Sequence, residues 1–199
     1  MEQLLKNYNQ IKNQLKSRLS QFKNLSEEAQ FKELLFCLLT PQSNAQRCWQ
    51  AVEELSLLKN LEEQSVFNIL KTKTRFHITK TSRILQAKET WDKIKPYLNK
   101  EDTKELRNII AKTVNGYGLK EASHFLRNIG LSNNKIAILD RHILRNLAAL
   151  NLIKETKVKS QKNYLEIEEK YLKFAKSLNI SADELDLLWW SQENGKIFK

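Results

Sequence analysis

Val114-Asn115-Gly116-Tyr117-Gly118-Leu119-Lys120 holds two of the four glycines in the whole chain, set two residues apart. The stretches on either side, Asp102 to Val114 and Leu119 to Asn128, carry apolar residues at helical spacing. The glycines therefore mark a tight turn between two helices, where glycine supplies positive φ or lets a partner approach the backbone. Such a turn directs successive N–H groups outward at the start of the next helix, and those groups hold a phosphate oxygen with help from the helix dipole.

The expectation is a helix–hairpin–helix element, which grips the DNA backbone and does not read base sequence. A plain glycine-bearing helix–helix turn is the other reading of the same residues. Outward from the hairpin, the rest of the chain also reads as helical. Lys, Leu, Glu, Asn and Gln dominate, prolines number two, and no β-branched alternation bounded by turn residues occurs.

A first helix is expected over Gln3 to Phe22. Ser26 reads as the N-cap of a second, with Glu27 and Glu28 in its first turn. The apolar run Phe31 to Leu39 is the strongest core candidate. Thr40-Pro41 reads as N-cap and first-turn proline of a third helix carrying Cys48, Trp49, Val52 and Leu55. Further helices are expected over Ser65 to Thr72, Thr79 to Tyr97 with Pro96 ending or bending it, Asp140 to Leu150, Ser160 to Leu178 and Ser181 to Gln192. Ser181 and Glu184 form a capping-box pattern for the last. The fold class is all-α, as two helical lobes, 1–30 with 130–199 and 31–129.

The net charge of +11 favours an anionic partner, because Lys and Arg displace counterions from phosphate. Cys37 and Cys48 lie in apolar stretches and read as core thiols. Two cysteines exclude a four-cysteine iron–sulfur or zinc site, and no cofactor is expected. No signal-peptide core and no membrane-spanning apolar run is seen, so the expectation is an intracellular protein of the cytoplasm or nucleoid.

Lys120 follows the hairpin in the first turn of a helix, where the macrodipole disfavours a cation. That field, with partial desolvation, is expected to lower its pKa and make it a nucleophile. A surface lysine, one among 34 basic residues, is the bland alternative. Asp140 follows four apolar residues, Ile136-Ala137-Ile138-Leu139, and precedes a helix. It reads as an N-cap, and a pinned, ionised carboxylate can also serve chemistry. One helix, one loop and a return separate Lys120 from Asp140, which would let antiparallel helices present both to one cleft.

These residues resemble the helix–hairpin–helix DNA glycosylases. The run Gly116-Tyr117-Gly118-Leu119-Lys120-Glu121-Ala122-Ser123-His124-Phe125-Leu126-Arg127-Asn128 resembles the second, mainly archaeal type of 8-oxoguanine DNA glycosylase/AP lyase. Leu139-Asp140-Arg141-His142, Trp189-Trp190 and the final Gly195-Lys196-Ile197-Phe198-Lys199 fit the same pattern, from about residue 30 onward. Asn115 stands where the family's hairpin usually has proline, and Leu131 to Asn134 lacks a proline common in the wider superfamily.

The resemblance implies a monomer acting on duplex DNA that contains 8-oxoguanine or abasic sites, with base flipping into a cleft between lobes. It implies Lys120 as Schiff-base nucleophile, Asp140 as electrostatic partner and β-elimination as the strand-cutting step. It implies base recognition by Phe76, Trp190 and the carboxylate of Lys199, and a gap-filling role for Gln42. Gly116, Gly118, Arg47, Arg75 and Lys80 are candidate DNA-backbone contacts. His124 and His142, two of three histidines, read as positioning or packing residues. Two rival expectations remain: a glycosylase/lyase for another damaged base, and a non-catalytic DNA-binding module.

Overall fold

The computed structural model describes residues 1–199 and contains eleven α-helices and no strand. The chain divides into two compact units, one of residues 1–24 with 126–199 and the other of residues 25–125.

The second of these holds α2 (Glu27–Leu39), α3 (Ala45–Ser56), α4 (Glu63–Lys73), α5 (His77–Leu85), α6 (Ala87–Ile94) and α7 (Thr103–Thr113). It also holds the first turns of α8 (Leu119–Asn128), whose end belongs to the other unit. Ser26 caps α2 by accepting the Ala29 N–H at 3.2 Å, as its sequence position predicts. Every residue from Glu33 to Leu39 is buried, so the second half of α2 is covered on all sides and not along one stripe. It packs against α3, α5 and α6. Phe36 meets Trp49 and His124 edge-on, with ring centroids 5.7 and 5.6 Å away. Trp91 of α6 does the same with Phe31 and Phe125. Cys37 and Cys48 are buried thiols.

The other unit is built from α1 (Glu2–Gln21), α9 (Arg141–Ala149), α10 (Gln161–Ser177) and α11 (Ala182–Asn194). α11 packs against α1, α9 and α10, and eight of its residues are buried. The Ser181–Glu184 capping box is present in both halves. Trp189 is fully inside, stacked on Phe174 at 6.0 Å and 18°. Tyr171 locks α10 to the start of α11 by donating to the Ala182 carbonyl at 2.6 Å. Gly130, with φ of 75°, closes α8 while the Leu131 N–H reaches back to the Leu126 carbonyl at 2.8 Å. A Cβ at Gly130 would lie 3.0 Å from the Phe22 carbonyl oxygen, so the turn needs glycine for space as well as for φ.

Two sequence expectations are corrected. Thr40-Pro41 does not start α3. Thr40 ends α2, donating its N–H to the Phe36 carbonyl at 3.0 Å, and Pro41 to Ser43 form a turn. α3 begins one turn later, capped by Asn44, whose side chain accepts the Arg47 N–H at 3.0 Å. Asn44 is a strong cap, and the Lys80 ammonium holds the Leu39 and Pro41 carbonyls at the turn. The helix expected over Thr79 to Tyr97 is two helices meeting at Gln86, followed by a 3₁₀ turn at Lys95–Tyr97. No glycine or proline marks that bend in the sequence. No helix is long and apolar enough to cross a membrane.

Candidate active site

The hairpin begins where Val114 leaves helical geometry and the Tyr117 N–H bonds back to the Val114 carbonyl at 3.0 Å. Gly116 sits at φ of 95°, a conformation L side chains rarely adopt, and a Cβ there would be 2.4 Å from Arg83 Nε. The Arg83 guanidinium therefore lies flush against the turn. Tyr117 fastens the hairpin inward: it is buried, its ring faces Phe125 and its hydroxyl donates to the Leu34 carbonyl at 2.8 Å.

Gly118 occupies the N-cap position of α8, its carbonyl accepting the Ala122 N–H at 3.1 Å. Its own N–H does not project freely, as the sequence suggested, but donates to Glu121 Oε2 at 3.1 Å. This is the returning half of a capping box. Glu121 Oε1 in turn lies 2.8 Å from Lys120 Nζ, with the Lys120 side chain a quarter exposed. Burial pushes the Glu121 carboxyl up, but the Lys120 ammonium and the Gly118 N–H outweigh it and hold the group below its ordinary value. Glu121 was missed in the sequence, although its place three residues after a capping glycine was the available signal.

Asp140 is held from both sides. The buried run Ile136 to Leu139 leads into it, pinned by α10: Glu168 Oε1 accepts the Ala137 N–H at 2.8 Å and the Tyr164 hydroxyl donates to the Ala137 carbonyl at 2.6 Å. Asp140 then caps α9, its Oδ1 accepting the N–H groups of His142 and Ile143 at 2.8 and 2.9 Å. Both bonds fall on one oxygen, which leaves Oδ2 available for other work. His142 Nδ1 lies 3.4 Å from Glu193 Oε2, and the His124 ring packs on Phe36.

Lys80, a candidate backbone contact from the sequence, is turned inward. It is 2% exposed and its ammonium donates to the Leu39 carbonyl at 2.7 Å, the Pro41 carbonyl at 3.0 Å and Ser43 Oγ at 2.8 Å. Burial lowers its pKa to about 8; Cys48 opposes the shift, and Arg83, Lys120 and Arg75 add to it. Gln42 is exposed on the turn so held, not in the first turn of a helix. Arg47 and Arg75 are exposed, Phe76 is 55% exposed, and the Arg75 guanidinium sits 5.5 Å from the Phe76 ring centre.

In the unit of α1 and α11, Trp190 is partly exposed whereas Trp189 is buried. The Trp190 and Phe198 ring centres are 6.2 Å apart. Arg18 Nε donates to the Phe198 carbonyl at 2.5 Å, and Lys199 is buried at the end of the tail.

The family model described as 8-oxoguanine DNA glycosylase matches residues 15–180. An 8-oxoguanine DNA glycosylase/AP lyase of Fusobacterium nucleatum is 42% identical, over 96% of this chain and 94% of that protein. Among solved structures, Methanocaldococcus jannaschii 8-oxoguanine glycosylase/lyase in complex with 15mer DNA containing 8-oxoguanine superposes with a TM-score of 0.87 at 33% identity, covering all of both chains. The 8-oxoguanine DNA glycosylase of Thermotoga maritima gives a TM-score of 0.89 at 30% identity, over 100% of this chain and 97% of that one. A hairpin that presents a lysine at a helix start, an aspartate fixed as a cap, and these likenesses over the full length place the chain in the helix–hairpin–helix 8-oxoguanine DNA glycosylase family.

Proposed function

We propose that this protein excises 8-oxoguanine from duplex DNA and then cuts the strand at the resulting abasic site, with Lys120 as nucleophile and Asp140 as its electrostatic partner. The observation that carries the reading is Lys120 itself: an amine in the first turn of α8, directly after a strained glycine hairpin, with its position fixed by Glu121. Family membership supplies the substrate class.

The deprotonated amine of Lys120 attacks C1′ of the flipped nucleotide as the C1′–N9 bond breaks, and the bonding electrons leave with the base. Positive charge builds on the sugar. The Asp140 carboxylate, oriented by two helix N–H groups, stabilises that charge without having to reorganise. One proton then passes from the lysine nitrogen to O4′ as the C1′–O4′ bond breaks, which opens the sugar ring and leaves an iminium between Lys120 and C1′. Loss of a proton from C2′ then expels the 3′ phosphate, and water hydrolyses the Schiff base to free the lysine.

8-Oxoguanine carries an N7–H where guanine carries a lone pair, so an acceptor facing N7 accepts the lesion and repels guanine. We assign that acceptor to the tail ending at Lys199, with Phe76 and Trp190 as stacking surfaces. The exposure of Phe76, the partial exposure of Trp190 and the hold of Arg18 on the tail support the assignment. Gln42 fills the gap left by the base, and Arg47, Arg75 and the glycines of the hairpin approach the backbone. Such a protein acts where chromosomal DNA lies, in the cytoplasm or nucleoid.

Incubation with a duplex bearing a single 8-oxoguanine tests this reading. Free 8-oxoguanine and a nicked strand are expected, with no product from the undamaged duplex. Release of a different damaged base in preference would transfer the chemistry to another lesion, and binding with no release would leave only a DNA-binding module.

A further inference from the structure

Gln42 and Phe76 share an uncommon feature. Both are non-glycine residues in the left-handed region, at φ of 55° and 56°, and both are exposed. Each such residue costs about 1 kcal/mol and persists only where its surroundings over-determine it. Neither conformation is required by packing of its own side chain, since Phe76 is more than half in solvent.

The two segments meet at one point. Ser43, next to Gln42, accepts from the Lys80 ammonium at 2.8 Å and also from the backbone N–H of Arg75, next to Phe76, at 2.9 Å. Lys80 spends its two other protons on the carbonyls of Leu39 and Pro41, on the other side of Gln42. A buried ammonium usually pairs with a carboxylate. Lys80 instead has three neutral acceptors within one short segment, and its charged neighbours include the cations Arg75, Arg83 and Lys120.

We propose that Lys80 is a positioning residue which, through Ser43, holds Gln42 and Phe76 together in the conformation that lets them part a base from the stack and clasp it. The inference rests on the glycosylase reading above. Preorganisation of this kind matters for extruding a base and much less for a site that has none. Excision of 8-oxoguanine and cleavage of a ready-made abasic site should therefore respond differently when the node is cut.

The test is a single-turnover comparison of those two reactions in wild type, Ser43→Ala, Ser43→Thr and Lys80→Met, alongside thermal denaturation. In Ser43→Ala and Lys80→Met, excision should slow by about tenfold or more while abasic cleavage stays within about twofold. Ser43→Thr, which keeps the hydroxyl, should restore excision. Equal losses in both reactions would show a merely structural role and overturn the proposal, as would wild-type excision in Ser43→Ala. Should Lys80→Met fail to fold, the two Ser43 variants decide the matter alone. A wild type that neither excises nor cleaves would bring down the glycosylase reading itself, a result distinct from an active wild type with indifferent variants.

Discussion

Glu121 Oε1 lies 2.8 Å from Lys120 Nζ, and the other oxygen of the same carboxylate accepts the hairpin N–H of Gly118 at 3.1 Å. The ion pair fixes the amine beside the turn, and in the proposed mechanism it opens before the amine attacks. Lys120 and Gly118 hold the carboxyl below its ordinary value despite burial, which makes it a weaker proton acceptor than an ordinary glutamate. Glu121→Gln keeps an oxygen for Gly118 and removes the charge. Schiff-base formation on an abasic duplex should then be unchanged or faster by up to about fivefold, the range of a partly exposed pair. A loss of tenfold or more would mean that Glu121 takes the proton after all.

Asp140 is a helix cap in the structure and an electrostatic partner in the proposed mechanism, two duties that substitution can separate. Asparagine retains an oxygen for the His142 and Ile143 N–H groups, whereas alanine retains nothing. Asp140→Asn should fold with a melting temperature close to wild type yet lose about a hundredfold or more in excision. Asp140→Ala should lose the same activity and about 1 kcal/mol of stability as well. Equal activity in Asp140→Asn and wild type would reduce Asp140 to a cap.

Gly116 answers to backbone strain and to space together. Gly116→Ala places a methyl against Arg83 at a φ of 95°, so it should cost about 1–3 kcal/mol in thermal or denaturant unfolding. Adding Arg83→Ala should recover the part due to the clash and leave the part due to φ. A single variant as stable as wild type would show that the hairpin yields easily.

Much of this was legible before the structure. Lys120 and Asp140 sit beside strong local signals, a glycine pair and an apolar run ending in a cap, so helix starts could be placed at both. Ser26 and the Ser181–Glu184 box were readable for the same reason. The turn at Pro41 was not, because its shape is set by Lys80, 39 positions later. Lys80 itself looks like any other lysine in a chain with 34 basic residues. Only tertiary burial makes it special, and burial of one cation leaves no local pattern.

Lys80 also carries a pH signature. An ammonium depressed to about 8 in the folded state, against the ordinary 10.5, penalises folding below pH 8, where both states are protonated. Between pH 8 and 10.5 the unfolded chain binds the extra proton, so stability rises with pH. Wild type should therefore gain in melting temperature relative to Lys80→Met on going from pH 7 to pH 9.5. A difference that stays flat or shrinks over that interval would contradict the burial of a charged Lys80.

The most direct measurement is borohydride reduction during reaction with a duplex carrying one 8-oxoguanine, followed by peptide mapping of the product. The account predicts a covalent protein–DNA adduct that requires the lesion, maps to Lys120 and is absent in Lys120→Gln. An adduct on another lysine, or base release by wild type with no adduct, would contradict the assignment of Lys120 as the nucleophile.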